Sequence, residues 1–210
     1  MDAAGASFEE TMISASGSPV QRDYQPFPDV ARRNFMQEGL EVPAMVQLLR
    51  LPAEGRVLEV GCGRGIALPP LAQALRPALL AGVDIDDALL TEAAQRAAAK
   101  GIPVRLCRAD VRSLPFPDDS FDIAVDFGTC YHIANPEQGM REIVRVLSTG
   151  GLYVSETLSN QLLSHPIRSC RRPLPWETLP ELELFSQGVL WKARRKSGPA
   201  RRAEASTLGT

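Results

Sequence analysis

The chain has 210 residues, of which 44% are hydrophobic and 23% charged, and its formal net charge is −2 at pH 7. This balance fits one globular domain, and a pI near 5.8 disfavours a protein that binds nucleic acid. The four cysteines are scattered singly without a CxxC pair, and there are only two histidines, so neither a disulfide framework nor a metal site is expected. The composition predicts a cytoplasmic protein with reduced thiols and no metal.

The two ends of the chain differ in composition from its middle. Residues 1–20 are acidic and rich in serine and alanine, without the basic start and apolar core of a signal peptide, and residues 196–210 are basic and poor in apolar residues. We expect both to be disordered tails. Between them the sequence predicts a helical or lid segment at 21–50 and a single domain at 51–195, with no transmembrane segment.

Within this domain, short apolar runs alternate with longer helical patterns, which is typical of a parallel sheet covered by helices. The clearest helices are predicted at 86–100, which begins with acidic residues and ends before Gly101, and at 136–147, with Asn135 as its N-cap. The predicted strands cover residues 56–60, 78–84, 104–110, 121–127, 151–157, 181–185 and 189–194.

The first of these strands runs into a glycine-rich turn, VLEVGCGRG. Gly61, Gly63 and Gly65 alternate, and Ile66 stands where the dinucleotide fingerprint GxGxxG has its last glycine. Glu59 would also place negative charge beside a pyrophosphate. The turn therefore disfavours a nicotinamide oxidoreductase and favours a cationic ligand.

The combination of LEVGCGRG with an acid that ends the next strand, in GVDID, resembles the class I S-adenosylmethionine-dependent methyltransferases over residues 57–156. The later segments LPFPDDSFDIAVDFGTCYHI and MREIVRVLSTGGLYVSE resemble the branch with quinone and sterol C-methyltransferases and small-molecule methyltransferases. The resemblance implies a Rossmann-like, doubly wound, mostly parallel seven-stranded α/β sheet with helices on both faces. It also implies S-adenosylmethionine as the cofactor of the domain at 51–195.

The resemblance further implies which residues hold the cofactor. The carboxylate of Asp84 would accept hydrogen bonds from both ribose hydroxyls, and that of Asp110 would accept one from the adenine amino group. Glu59 and the backbone of the turn would hold the methionine amino group, because side chains on these glycines would collide with the cofactor. The implied cofactor-binding residues are Glu59, Gly61, Cys62, Gly63, Gly65, Asp84, Ile85, Asp110, Val111 and Asp126, with Cys62 contributing only its backbone.

Three residues are candidates for the catalytic step. Asp126 ends the fourth strand of the domain, where the methyl group would emerge, and its backbone or carboxylate would line the reaction site. His132 would either take a proton from an attacking hydroxyl or cap a loop, and Tyr131 leaves the same alternatives open. Asp122 is not included, because it lies at the entrance of the strand.

The implied reaction is in-line transfer of a methyl group to a small-molecule or lipid-like acceptor, with most of the rate supplied by positioning. The alternative is a non-catalytic S-adenosylmethionine-binding or regulatory partner protein. A nucleic-acid methyltransferase is disfavoured because DFGTC stands where an Asn-Pro-Pro-Tyr-like sequence would be expected.

The acceptor contacts are expected from residues 24–50, from the loop after Asp126 and from 158–180. Arg168, Arg171 and Arg172 in the last segment predict either a lid over an acidic acceptor or a solvated loop. The sequence leaves the oligomeric state open.

Overall fold

A single sheet forms the centre of the structure, a computed structural model that describes residues 13–14, 30–160 and 173–197. The strands are β1 (Ile13–Ser14), β2 (Arg56–Val60), β3 (Leu79–Asp84), β4 (Arg105–Arg108), β5 (Phe121–Asp126), β6 (Leu147–Glu156), β7 (Leu182–Gln187) and β8 (Trp191–Lys196). The α-helices are α1 (Val30–Met36), α2 (Val42–Leu49), α3 (Leu68–Leu75), α4 (Asp87–Ala99) and α5 (Pro136–Val146). A π-helix at Gln37–Glu41 joins α1 to α2, and short 3₁₀ helices lie at Cys130–His132 and Trp176–Thr178.

The strands follow the order β1-β4-β3-β2-β5-β6-β8-β7. Neighbouring strands from β1 to β6 are parallel, while β8 runs antiparallel to both β6 and β7. The chain steps outward from β2 to β4 and then returns to place β5 beside β2, so a crevice forms at the carboxyl ends of β2 and β5. Strands β2 to β8 confirm the predicted seven-stranded, mostly parallel α/β fold.

Both faces of the sheet are buried, which is why its central strands are nearly continuous apolar runs. Val57 and Ile123 lie in the core on the face covered by α2, α3 and α4, and Leu58 and Ala124 lie in the core on the face covered by α5. Within the described residues, no helix combines the length and the apolar character needed to cross a lipid bilayer.

The start of α4 has the capping residue that its sequence suggests, whereas the predicted cap of α5 is not formed. The carboxylate of Asp86 accepts a hydrogen bond from Ala88 N at 3.0 Å and caps α4, as expected for an aspartate at this position. Asn135 precedes α5 but adopts a left-handed conformation with φ of 56°, and its side chain makes no capping bond. The predicted Asn135 cap is therefore wrong, because this conformation turns the side chain away from the first N–H groups.

The predicted lid segment at 21–50 is helical wherever the structure describes it, from α1 to α2. In α2, however, Val42, Met45 and Leu49 are fully buried in the core. Their spacing places them on one helix face, which packs against the sheet. This helix therefore packs into the core of the domain. Residues 21–29 lie outside the described residues, and the lid role of 21–50 stays a prediction.

The predicted tails are only partly within the described residues. Ile13 and Ser14 pair with Cys107 and Arg108 as an edge strand, and the other residues of the predicted disordered tail over 1–20 lie outside the described residues. This pairing covers backbone groups of β4 that would otherwise form an open sheet edge. At the other end β8 extends to Lys196, and residues 198–210 lie outside the described residues.

Candidate cofactor and acceptor site

The glycine-rich turn follows β2 at the crevice. Gly61, Gly63 and Gly65 have φ values of 63°, 52° and 67°, which L-amino acids with a side chain rarely adopt. Cys62 N donates to Val83 O at 2.9 Å, and Gly65 N donates to Cys62 O at 2.8 Å. The first bond attaches the turn to the neighbouring strand β3, and the second closes the turn itself.

The three glycines are required for different reasons. A Cβ atom on Gly61 would lie 1.8 Å from Thr129 Oγ1, and one on Gly65 would lie 2.9 Å from the Cβ of Ala93. A Cβ atom on Gly63 would meet no protein atom within 4 Å. A side chain at Gly61 would therefore overlap the protein itself, and a collision with the cofactor stays a prediction. Of the three glycines, only Gly63 has open space at the position of an added Cβ atom.

Asp84 ends β3 beside this open space. Its Oδ2 accepts a hydrogen bond from Gly63 N at 2.8 Å, and its Oδ1 accepts one from Asp86 N at 3.0 Å. Burial raises the pKa of the carboxyl, although these backbone donors oppose the rise. Because each carboxylate oxygen can accept more than one hydrogen bond, both oxygens retain capacity for a diol.

Two more residues of the predicted set lie beneath the turn. Glu59 is 2% exposed. Burial raises the pKa of the Cys62 thiol well above its usual range, and the nearby charges of Glu59 and Asp84 add to the effect. A Cβ on Gly82 would lie 2.9 Å from Cys62 Sγ, so this thiol is packed into the domain. The two carboxylates thus give the turn a negative field that suits a cationic group.

Asp110, predicted to bind the adenine amino group, is already engaged. The guanidinium of Arg112 contacts both of its carboxylate oxygens, with Nη2 at 2.6 Å from Oδ2, and Arg112 N donates to Oδ1 at 2.9 Å. Burial acts to raise the pKa of Asp110, but the bonds and charge of Arg112 outweigh it and lower the pKa. The Arg112 guanidinium therefore orients this carboxylate, which is still 26% exposed, and its use for adenine stays a prediction. Val111 is buried beside it, and Ile85 is half-buried after Asp84.

Asp126 is also bonded within the protein. Its side chain is 2% exposed, and its oxygens accept hydrogen bonds from Gly128 N at 3.0 Å, Thr129 N at 2.6 Å and Tyr153 Oη at 3.0 Å. Burial raises the pKa of this carboxyl. The carboxylate is therefore engaged within the protein, and the expectation that its backbone or carboxylate lines the reaction site stays a prediction. Asp126 is a positioning residue that shapes the loop after β5.

That loop carries the other two catalytic candidates. Tyr131 is buried, and its hydroxyl donates to Glu156 Oε2 at 2.7 Å. The ring of His132 is half-buried and lies 4.5 Å from the ring of Tyr131, measured between centroids. The loop is attached to the glycine turn by Thr129, whose Oγ1 donates to Val60 O at 2.9 Å. The structure thus brings Tyr131 and His132 to the edge where the cofactor-binding candidates lie, and their catalytic roles stay predictions.

Sequence reasoning missed Thr129, Glu156 and Arg112. Glu156 has a usable signal, because an acid that ends a strand at the carboxyl edge is the criterion that selects Asp84. Arg112 stands two residues after Asp110, close enough to fold back onto it. Thr129 has no signal, since its contact with Gly61 joins residues that are far apart in the sequence.

Beyond Glu156, a cleft of about 340 Å³ opens beside β6 and β8. Its polar lining residues include Glu156, Lys192 and Arg194, and Trp176 forms part of its wall. The predicted arginine lid at 158–180 is not described in full, because residues 161–172, with Arg168, Arg171 and Arg172, lie outside the described residues.

A parallel sheet with a topological switch beside a glycine turn and an acid-ended strand defines a Rossmann-like class of proteins that bind a nucleoside cofactor. Residues 58–155 match the family described as "Methyltransferase domain". This segment is a class I methyltransferase domain, and its cofactor is S-adenosylmethionine. The residues fit that group, because the space in front of Gly63 is free of protein atoms, Asp84 can accept a diol, and acids surround the turn.

Individual relatives agree with this assignment. The chain is 34% identical over 121 residues to an uncharacterized methyltransferase, YcgJ, of Bacillus subtilis, covering 56% of this chain and 46% of the relative. The crystal structure of YcgJ is 26% identical over the superposed part, which covers 68% of each chain with a TM-score of 0.56. Demethylmenaquinone methyltransferase of Thermus thermophilus is 34% identical over 110 residues, covering 52% of this chain and 50% of the relative. Fatty-acid O-methyltransferase of Mycolicibacterium smegmatis is 32% identical over 99 residues, covering 47% of this chain and 35% of the relative. The chain spans about half the length of the curated relatives it matches or less.

Proposed function

We propose that this chain transfers a methyl group from S-adenosylmethionine to a small-molecule or lipid-like acceptor. The observation that carries the proposal is the juxtaposition at the switch point of the sheet. There the open space at Gly63 is flanked by Asp84, and the loop with Tyr131 and His132 is bonded to the same turn through Thr129. A relative that acts on demethylmenaquinone and one that acts on a fatty acid support an acceptor with a large apolar part.

When bound, S-adenosylmethionine supplies a sulfonium methyl group as the electrophile. The residues of the chain bind and orient. Asp84 holds the ribose hydroxyls, Gly63 leaves the space that the cofactor needs, and the acidic turn with Glu59 favours the positively charged methionine amino group. Asp110, oriented by Arg112, and the backbone N–H of Val111 would recognise adenine.

The remaining polar groups position the acceptor. Tyr131 donates its hydroxyl hydrogen to Glu156, so the carboxylate can in turn accept a hydrogen bond from an acceptor hydroxyl and hold it at the edge of the sheet. His132, half-buried beside Tyr131, is our candidate for taking a proton from that hydroxyl. Holding the acceptor in line with the methyl group can lower the activation free energy by about 7–11 kcal/mol. This explains why the site has few catalytic groups.

The test is cofactor turnover with labelled S-adenosylmethionine and pools of quinols, fatty acids and phenols. We expect acceptor-dependent formation of S-adenosylhomocysteine, lost in Asp84→Ala and kept in Asp87→Ala, whose side chain lies exposed at the start of α4. Cofactor binding by calorimetry without turnover on any pool would favour the non-catalytic alternative. Absence of cofactor binding would reject the proposal altogether.

A further inference from the structure

The cleft beside β6 and β8 has a basic end that the proposed methyl transfer does not use. Arg194 and Lys192 lie two residues apart on β8, and their register partners on β6 are Tyr153 and Ser155, so both side chains project from the same face of the sheet. Neither cation forms an ion pair with a carboxylate within the residues that the structure describes. Within the described part of the chain, the two positive charges therefore have no carboxylate partner.

Arg194 is held in place although it has no acidic partner. Its guanidinium lies over the ring of Trp176, 3.4 Å from the ring centroid, and Trp176 packs on Tyr153 with ring centroids 5.2 Å apart. The Nη1 atom of Arg194 is buried and makes no hydrogen bond. Burial lowers the pKa of this guanidinium to about 10, so it stays charged at pH 7. A buried, charged donor without a partner is costly unless a ligand satisfies it.

The cleft has an acidic end, a basic wall and an apolar rim. Glu156 lies at the end that adjoins Tyr131, and the cations lie on β8. Leu158 and Val189 are apolar rim residues, 52% and 77% exposed. An anion is repelled at the Glu156 end and attracted at the β8 end, while an apolar chain can cover the rim.

We propose that Arg194 and Lys192 form an oxyanion-binding subsite for the acceptor, separate from the atom that is methylated. This inference rests on the proposed function. Since Arg194 pairs with Tyr153, three residues before Glu156 on β6, and a strand rises about 3.3 Å per residue, an oxyanion held at Arg194 lies roughly 10 Å from the Glu156 end. The acceptor is accordingly an amphipathic acid whose carboxylate or phosphate serves as a handle, with its nucleophile at the Glu156 end.

The test compares octanoate, octanol and octylammonium as probes, with binding measured from tryptophan emission of the full chain. We expect octanoate to bind about tenfold more tightly than octanol, as for charge-assisted hydrogen bonds, and octylammonium to bind more weakly than either. Arg194→Gln should remove the preference for octanoate, and Lys192→Gln should reduce it. Arg195→Gln is the matched control, because Arg195 lies on the opposite face of the same strand and should leave the preference unchanged.

The outcomes separate the two proposals. If the wild-type chain binds S-adenosylmethionine but binds octanoate and octanol equally, the subsite is wrong and the proposed function stands. If Arg194→Gln keeps the preference, or Arg195→Gln loses it equally, the assignment to this face is also overturned. Should Arg194→Gln fail to fold, Arg194→Lys and Lys192→Gln decide the question, because the former keeps the charge while losing the flat guanidinium. Loss of S-adenosylmethionine binding by the wild-type chain would instead reject the proposed function.

Discussion

The two ends of β5 use the same residue type in opposite ways. At the amino end, the half-exposed Asp122 accepts a hydrogen bond from Arg56 Nη2 at 2.8 Å, and the bonds from Arg56 lower its pKa to about 2. At the carboxyl end, Asp126 is buried and is held by backbone N–H groups and a tyrosine hydroxyl, and burial raises its pKa. Neutral donors fix the loop after β5 without adding a positive charge. The carboxyl edge near the cofactor-binding candidates thus keeps the negative field that a cationic cofactor needs.

The largest change in stability is expected when Asp126, the buried one of the two aspartates, is replaced. Asp126→Ala removes the acceptor for Gly128 N, Thr129 N and Tyr153 Oη in a buried site, so it should lower the free energy of unfolding by about 3 kcal/mol. The matched change at the exposed end, Asp122→Ala, should cost less than about 1 kcal/mol. Urea denaturation measures both, and equal losses would show that burial does not separate the two aspartates.

Asp84→Ala tests the cofactor side of the same edge. Loss of the ribose acceptor should weaken S-adenosylmethionine binding by about 1.5–3 kcal/mol, the range of hydrogen bonds to charged groups. Asp87→Ala, nearby on the exposed start of α4, should leave the affinity unchanged. Calorimetry on both variants decides the assignment, which unchanged affinity in Asp84→Ala would refute.

The glycines separate a position that serves the fold from one that serves the ligand. Gly63 and Gly101 both have positive φ, and a Cβ atom on either would meet no other atom within 4 Å, so Ala at either should cost about 1 kcal/mol of stability. Only Gly63→Ala should weaken S-adenosylmethionine binding, by roughly 1–3 kcal/mol from steric overlap. Gly61→Ala should mainly destabilise the fold, because its Cβ would overlap Thr129. Thermal unfolding measures the loss of stability, and calorimetry measures the loss of S-adenosylmethionine affinity. Unchanged affinity in Gly63→Ala would show that Gly63 is not part of the cofactor site.

The weakest effect concerns pH at the amino end of β5. The folded-state pKa of Asp122, about 2, lies below the ordinary unfolded value near 3.9, so the unfolded chain takes up the proton first as pH falls. Its contribution is fully present above about pH 5 and is lost as pH falls towards 2. Because the side chain is 40% exposed, we expect less than about 1 kcal/mol. The wild-type chain should lose more stability than Asp122→Asn between pH 5 and pH 3, and parallel pH profiles would contradict this.

Local patterns predict most of the sheet and the order of its elements. Strand β2 has the bounds that its sequence predicts, and α4 begins after the Asp86 cap that its sequence signals. The prediction is less accurate at β6, which starts at Leu147 rather than at 151, because Leu147 pairs with Phe121 and the register then shifts before Leu152 pairs with Ile123. This irregular start is a tertiary effect, since it depends on the pairing of Leu147 with the neighbouring strand.

For the candidate site, the sequence likewise predicts the positions of residues but not their side-chain partners. The places of Glu59, Gly63 and Asp84 follow from the sequence, because each is defined by its position relative to its own strand or turn. Whether a placed carboxylate remains available does not follow from the sequence. Asp110 is bonded to Arg112, and Asp126 is bonded to Tyr153, and such pairings depend on how side chains meet after the chain has folded.

The order of residues along the chain is enough to establish the fold class, the family and the cofactor end of the crevice, because these depend on contiguous motifs that act through short-range backbone geometry. The contents of the acceptor end follow from tertiary packing instead. Arg194, Trp176 and Glu156 come from separate elements. Arg194 on β8 shares a face with Tyr153 on β6, far earlier in the chain, because the antiparallel register brings them together. That Arg194 has no carboxylate partner among the described residues follows only from this packing.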